Sequence, residues 1–271
     1  MTFRTSEEEV KPMEYNKVLI SGSEDHVAYL TLNRPERMNS FDSELAAELY
    51  EALAELDSSD DVRVIVIKGS GKHFCAGIDI SELAGESAME YRDWVELMER
   101  PLYHISKIKK PVIACVHGVA AANGCGLAAS ADLVIASEDA RMGLTAINLG
   151  LNCVGPVLAV VRCIGRKKAL EFLLSGELFG AREAQAMGLV NRVVPAAALE
   201  EETHKWALSF ANKSPLALQT AKTAFYAAED MDYEKQFAFM NEVFARLCTS
   251  RDAAEGVAAF LEKRTPEWEG R

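Results

Sequence analysis

A short apolar run, PVIACVH from Pro111 to His117, opens straight into GVAAANGCGLAAS at residues 118–130, where few side chains have any size. The Val/Ile-rich run reads as a buried strand, and the glycines and alanines after it mark a place where backbone is approached closely. Two readings of those small residues stand side by side. They let a helix pack tightly, or they expose the unpaired N–H groups of a helix start to a ligand.

The rest of the chain places this feature in an α/β body. KVLISG and HVAYLTL alternate with period two and read as paired strands across SGSEDH. SELAAELYEALAELD carries Leu45, Leu49, Ala52, Leu53 and Leu56 on one helical stripe, with Asp42 as N-cap. VRVIVIKG and DLVIAS read as further buried strands. From about Pro195 the pattern is helical only, in amphipathic segments broken at Ser214-Pro215, Met231-Asp232 and Thr249-Ser250. The expected organisation is therefore an acidic tail at 1–14, an α/β core at 15–195 and a helical subdomain at 196–271. Phe225, Tyr226, Phe237, Phe239 and Phe244 give the last part the look of core packing or of a subunit interface.

Charge and cysteines exclude several classes. Lys and Arg number 29 against 41 Asp and Glu, a formal net charge of -12, which opposes binding to nucleic acid or anionic membranes. The first residues lack the basic and apolar regions of a secretory signal, and the apolar stretch 111–136 is broken by His117, Asn123, Asp132 and glycines. A cytoplasmic protein with no membrane span is expected. The 6 cysteines include no C-x-x-C, so reduced thiols are expected and no metal site.

Two motif-like stretches carry no chemistry. GSGKH at 69–73 lacks phosphate-loop spacing and has His73 where a hydroxyl is needed, and the glycines after Pro111 do not form G-x-G-x-x-G. No G-x-S-x-G elbow is present either. What remains is a pair of segments that bare their backbone: KHFCAGIDI at 72–80 and the helix start near Asn123. Two backbone donors facing each other can hold a developing oxyanion.

LTLNRPERMNSFDSEL, VIVIKGSGKHFCAGIDI, KKPVIACVHGVAAANGCGLAASADLVIASEDARMG, ALEFLLSGELFGAREAQAMGLVNRVVP and SRDAAEGVAAFLEKRTPEW occur in that order. With them the sequence resembles the crotonase superfamily, the enoyl-CoA hydratase/isomerase family, over roughly residues 14–271. The resemblance implies a spiral of β-β-α turns with a helical C-terminal trimerisation region, assembled as a homotrimer or dimer of trimers. It implies an acyl-CoA thioester as ligand and no other cofactor. By the same resemblance the backbone N–H groups of Ile78 and Asn123 are the oxyanion donors. Ala76, Gly77, Ile78, Asp79, Ile80 and Ser81, with Arg37 and Met38, line the CoA path, and Phe260 and Lys263 approach the CoA of a neighbouring subunit.

The departures from the family pattern bear on the reaction. Gly126 and Ala146 stand where a family hydratase carries its two glutamates, and no acid stands near Val154, where some isomerases place one. Asn148, Asn152 and Cys153 are the nearest polar candidates by alignment, with His73, His117, Asp79 and Cys125 around them. The two asparagines cannot take a proton near neutral pH. The expected activity is acyl-CoA enzymology other than two-glutamate hydration, with a non-catalytic thioester-binding protein and an acyl-CoA hydrolase or decarboxylase as alternatives. The segment 82–100, ELAGESAMEYRDWVELMER, is expected to shape the acyl pocket.

Overall fold

Strands buried on both faces need two layers to cover them, and the chain supplies both. The computed structural model describes residues 15–22, 25–83 and 85–271, so the expected tail at 1–14 lies outside the described residues. Along the chain run β1 (Val18–Ser21), β2 (Val27–Leu32), α1 (Ser43–Ser58), β3 (Val64–Gly69), α2 (Ala88–Ile105), β4 (Val112–Val116), β5 (Val119–Ala121) and α3 (Asn123–Ser130). Then follow β6 (Leu133–Ser137), β7 (Arg141–Gly143), α4 (Pro156–Ser175), β8 (Phe179–Gly180), α5 (Ala181–Met187) and β9 (Arg192–Val194). The C-terminal part is α6 (Leu199–Ala211), α7 (Pro215–Ala228), α8 (Tyr233–Cys248) and α9 (Arg251–Glu262).

One sheet has the order β1-β2-β3-β4-β6-β9 and a smaller one β5-β7-β8. Only the β1–β2 pair is antiparallel in the larger sheet, with Val18 opposite Leu32. Period-two alternation divides the side chains of its central strands between two cores. Ile65, Ile67, Val112, Ala114 and Val116 face α1 and α3, whereas Val64, Val66, Ile113 and Cys115 face Leu199, Trp206 and Ala207 of α6. The helical texture that begins after Pro195 thus includes one helix that closes the sheet.

Local signals account for the element ends. Asp42 accepts a hydrogen bond from Leu45 N at 2.8 Å and starts α1. Ser214 and Ser250 do the same for α7 and α9 through Ala217 N and Ala253 N. Lys222 of α7 reaches Asp132 at 2.7 Å, and Tyr226 donates to the same carboxylate at 2.8 Å, so Asp132 anchors α7 to the turn before β6. α8 buries none of its residues in the single chain, and Phe225, Phe237, Phe244, Phe260 and Leu261 are all exposed. No helix of the described residues is long and apolar enough to cross a membrane.

Candidate active site

The two backbone-baring segments lie against each other. Cys75 bridges Ala120 in parallel: Cys75 N donates to Val119 O at 3.1 Å, and Ala121 N donates to Cys75 O at 2.9 Å. Gly77 follows with φ of 111°, and a Cβ there would stand 2.8 Å from the Ala122 methyl and 3.7 Å from Asn123 N. A Cβ on Gly124 would overlap the Cys75 carbonyl. The small residues therefore serve close backbone contact between segments, which settles half of the question raised by the sequence.

That contact leaves two donors open. Phe41 N donates to Gly77 O at 2.7 Å and Asp79 N donates to Phe41 O at 2.6 Å, so the intervening Ile78 N–H points away from Phe41. Asn123 is the first residue of α3, where an N–H has no partner within the helix. Among the described residues neither N–H meets an acceptor. Ala122, just before α3, is held at φ 49° and ψ −116°, a conformation that costs an alanine roughly 1–3 kcal/mol. Its N–H donates to Gly143 O at 2.8 Å, which ties the strained residue to β7. Alanine offers no sequence signal for such a backbone.

Gly126 and Ala146, where the family resemblance places glutamates, have different surroundings. Gly126 lies one turn after Asn123, and a Cβ there would stand 2.7 Å from Pro156 Cβ, 2.9 Å from Leu102 Cδ2 and 3.0 Å from Pro156 Cα. Ala146 is half-buried against the main core, and its carbonyl accepts from Leu151 N at 3.1 Å. Val154 is exposed. Asn148 spends its amide on Gly176 O at 2.9 Å, and Asn152 is exposed. Cys153 and Cys125 are buried, and burial pushes both thiols up, which disfavours a thiolate nucleophile.

The expected CoA side is held by an ion-pair cluster. Asp79 accepts from Ser81 Oγ at 2.7 Å and Ser81 N at 3.1 Å and pairs with Arg34 at 3.0 Å. The Ser81 hydroxyl first, then Arg34, holds its carboxyl below the usual range, so Asp79 is a poor base and a good strut. Arg34 also pairs with Asp42 at 3.1 Å. Arg37, Met38, Ile80 and Ser81 are exposed, Ala76 is half-buried, and the Met38 carbonyl accepts from Ala76 N at 3.0 Å. His73 Nδ1 accepts from Val119 N at 3.2 Å, and His117 Nε2 lies 3.2 Å from Gly71 O, so both imidazoles brace turns. Phe260 and Lys263 lie exposed at the end of α9.

One acid on this ground was not singled out in the sequence. Glu99 of α2 is half-buried, and a Cβ on Gly155 would overlap its carboxylate. It has no hydrogen-bond or ion-pair partner among the described residues, and burial alone pushes its pKa up. Its neighbour Met98 accepts a long hydrogen bond, 3.5 Å, from the Asn123 side chain. The available signal was its place in α2, one turn before the buried Leu102 on an otherwise apolar stripe.

Residues 22–271 match the family described as Enoyl-CoA hydratase/isomerase. The 2,3-dehydroadipyl-CoA hydratase of Escherichia coli is 36% identical, the match covering 93% of this chain and 99% of that one. The (E)-benzylidenesuccinyl-CoA hydratase of Thauera aromatica is also 36% identical, over 91% of this chain and 96% of that one. Among solved structures, an enoyl-CoA hydratase of Mycobacterium smegmatis superposes with a TM-score of 0.91 at 39% identity, covering 93% and 99% of the two chains.

Proposed function

The chain belongs to the enoyl-CoA hydratase/isomerase family and has the crotonase fold, and from that premise we propose that it binds an acyl-CoA thioester with the carbonyl oxygen between Ile78 N–H and Asn123 N–H. The reaction is enolate or oxyanion chemistry at the thioester and not hydration by a glutamate pair. The observation that carries this reading is the approach of Gly77 to Asn123 N, with neither Ile78 N–H nor Asn123 N–H meeting an acceptor among the described residues.

Chemically, the two N–H groups strengthen their hold as negative charge grows on the carbonyl oxygen. The positive end of the α3 dipole acts in the same direction, and a preorganised donor of this kind is worth roughly 10²- to 10³-fold in rate. The strained Ala122 and the buried Gly77 keep the donors aimed before ligand arrives, so little reorganisation is needed. Asp79, fixed by Ser81 and Arg34, holds the segment that carries Ile78. Arg37 and Met38 line the CoA path, and Lys263 of a neighbouring subunit supplies a cation for its phosphates. The exposed aromatics of α7, α8 and α9 bury one another in a trimer or a dimer of trimers.

Calorimetric titration with butyryl-CoA and with its thioether analogue S-butyl-CoA, which lacks the carbonyl oxygen, tests the reading. Two hydrogen bonds of about 0.5–1.5 kcal/mol each predict that the thioester binds roughly 5- to 150-fold more tightly. Equal affinities would remove the oxyanion site.

A further inference from the structure

We propose that Glu99 is the proton-transfer group of this site, a carboxylate supplied by α2 in place of any acid on α3 or after β7. The inference rests on the acyl-CoA reading above and adds the group that moves the proton. Three observations carry it. The Glu99 carboxylate lies on the α-carbon of Gly155, where any side chain would displace it. The next residue, Pro156, and Leu102, one helical turn along α2 from Glu99, supply the atoms nearest to a Cβ on Gly126 of α3. Glu99 therefore stands behind the same contact that closes position 126, and the Asn123 side-chain amide donates a long hydrogen bond, 3.5 Å, to Met98 O of α2.

The third observation is that the carboxylate has no hydrogen-bond or ion-pair partner among the described residues. Other acids near the site are engaged: Asp79 with Arg34 and Ser81, Asp42 with Lys17 and Arg34, and Glu82 with Ser43 and Trp94. Arg100, next to Glu99, lies over the Tyr50 ring at 3.6 Å and does not pair with it. An acid half-buried without a partner loses solvation and gains nothing structural in return. Burial raises its pKa, which brings a carboxylate closer to the range suited to a general base near neutral pH.

The step is balanced within the site. Glu99 takes a proton from the α-carbon of the acyl group, and the C–H electron pair moves into the Cα–C bond. The carbonyl π electrons pass to the oxygen held by Ile78 N–H and Asn123 N–H. Collapse of the enolate takes a hydron back from the Glu99 carboxylic acid and restores the thioester. In heavy water the acid exchanges first, so deuterium enters at the α-carbon.

Proton NMR of butyryl-CoA in heavy water reads this step without knowledge of the natural acyl group. Wild-type protein should wash out the α-methylene signal. Glu99→Gln, the same shape without a basic oxygen, should slow the exchange by roughly 10²- to 10⁴-fold while calorimetry shows unchanged butyryl-CoA affinity. Glu99→Asp should fall between them. Exchange at the wild-type rate in Glu99→Gln would overturn the proposal, as would wild-type protein that binds butyryl-CoA and exchanges nothing. Failure of wild-type protein to bind butyryl-CoA at all would instead bring down the oxyanion reading, and this inference with it.

Discussion

Placing glutamates at positions 126 and 146 asks whether this site can hold a carboxylate pair, and the structure predicts that the graft fails at position 126. In Gly126→Glu the first side-chain atom already meets Pro156 Cβ at 2.7 Å, Leu102 Cδ2 at 2.9 Å and Pro156 Cα at 3.0 Å. Leu102 can swing a methyl aside, but Pro156 opens α4 and its α-carbon moves only with the helix. Overpacking of this kind costs about 1–3 kcal/mol, and the buried carboxylate adds a desolvation penalty. At about 2–4 °C per kcal/mol for a chain of this size, the packing part alone lowers Tm by roughly 2–12 °C. Gly126→Glu/Ala146→Glu should therefore lose stability without gaining crotonyl-CoA hydration, read as loss of enoyl-thioester absorbance. Leu102→Ala in the same background should recover only part of the lost Tm. A stable double variant that hydrates crotonyl-CoA far faster than wild type would refute the packing argument.

Gly77→Ala should lower Tm and abolish butyryl-CoA binding, because it demands φ of 111° from an alanine and sets two methyl groups 2.8 Å apart; unchanged melting and calorimetry would mean that the segments do not meet as described. Asp79 is held below the usual carboxylate range in the folded protein, so its contribution is complete above the unfolded value of about 3.9 and is lost as pH falls through the lowered folded value. Asp79→Asn should accordingly have a lower urea midpoint than wild type at pH 7, with the two converging in acid, and parallel pH curves would count against the ion-pair strut. Light scattering at micromolar concentration should give a trimer or a dimer of trimers, and a stable monomer would remove the cross-subunit role of Lys263. Phe260→Asp should weaken that assembly.

The sequence made the frame legible because its signals are local and strong. Alternation in HVAYLTL, the continuous apolar run in PVIACVH and the Asp42 cap each have a single favourable outcome, and β2, β4 and α1 are found there. The cover that α6 gives the second face of the sheet was not readable, since Leu199, Trp206 and Ala207 form an amphipathic stripe whatever they pack on. The two segments around Ile78 and Asn123 were visible as a loss of side chain, but the strain at Ala122 was not, because it is imposed by tertiary hydrogen bonds on a residue with no preference for it. Glu99 escaped notice for a related reason. An acid in an amphipathic helix is ordinary until packing shows it half-buried beside Gly155, with no partner among the described residues.

A crystal structure with butyryl-CoA bound would show directly which groups hold the thioester carbonyl. The thioester oxygen should lie within about 3.2 Å of both Ile78 N and Asn123 N. A carbonyl oxygen bound elsewhere, with those two N–H groups facing water, would contradict the oxyanion reading.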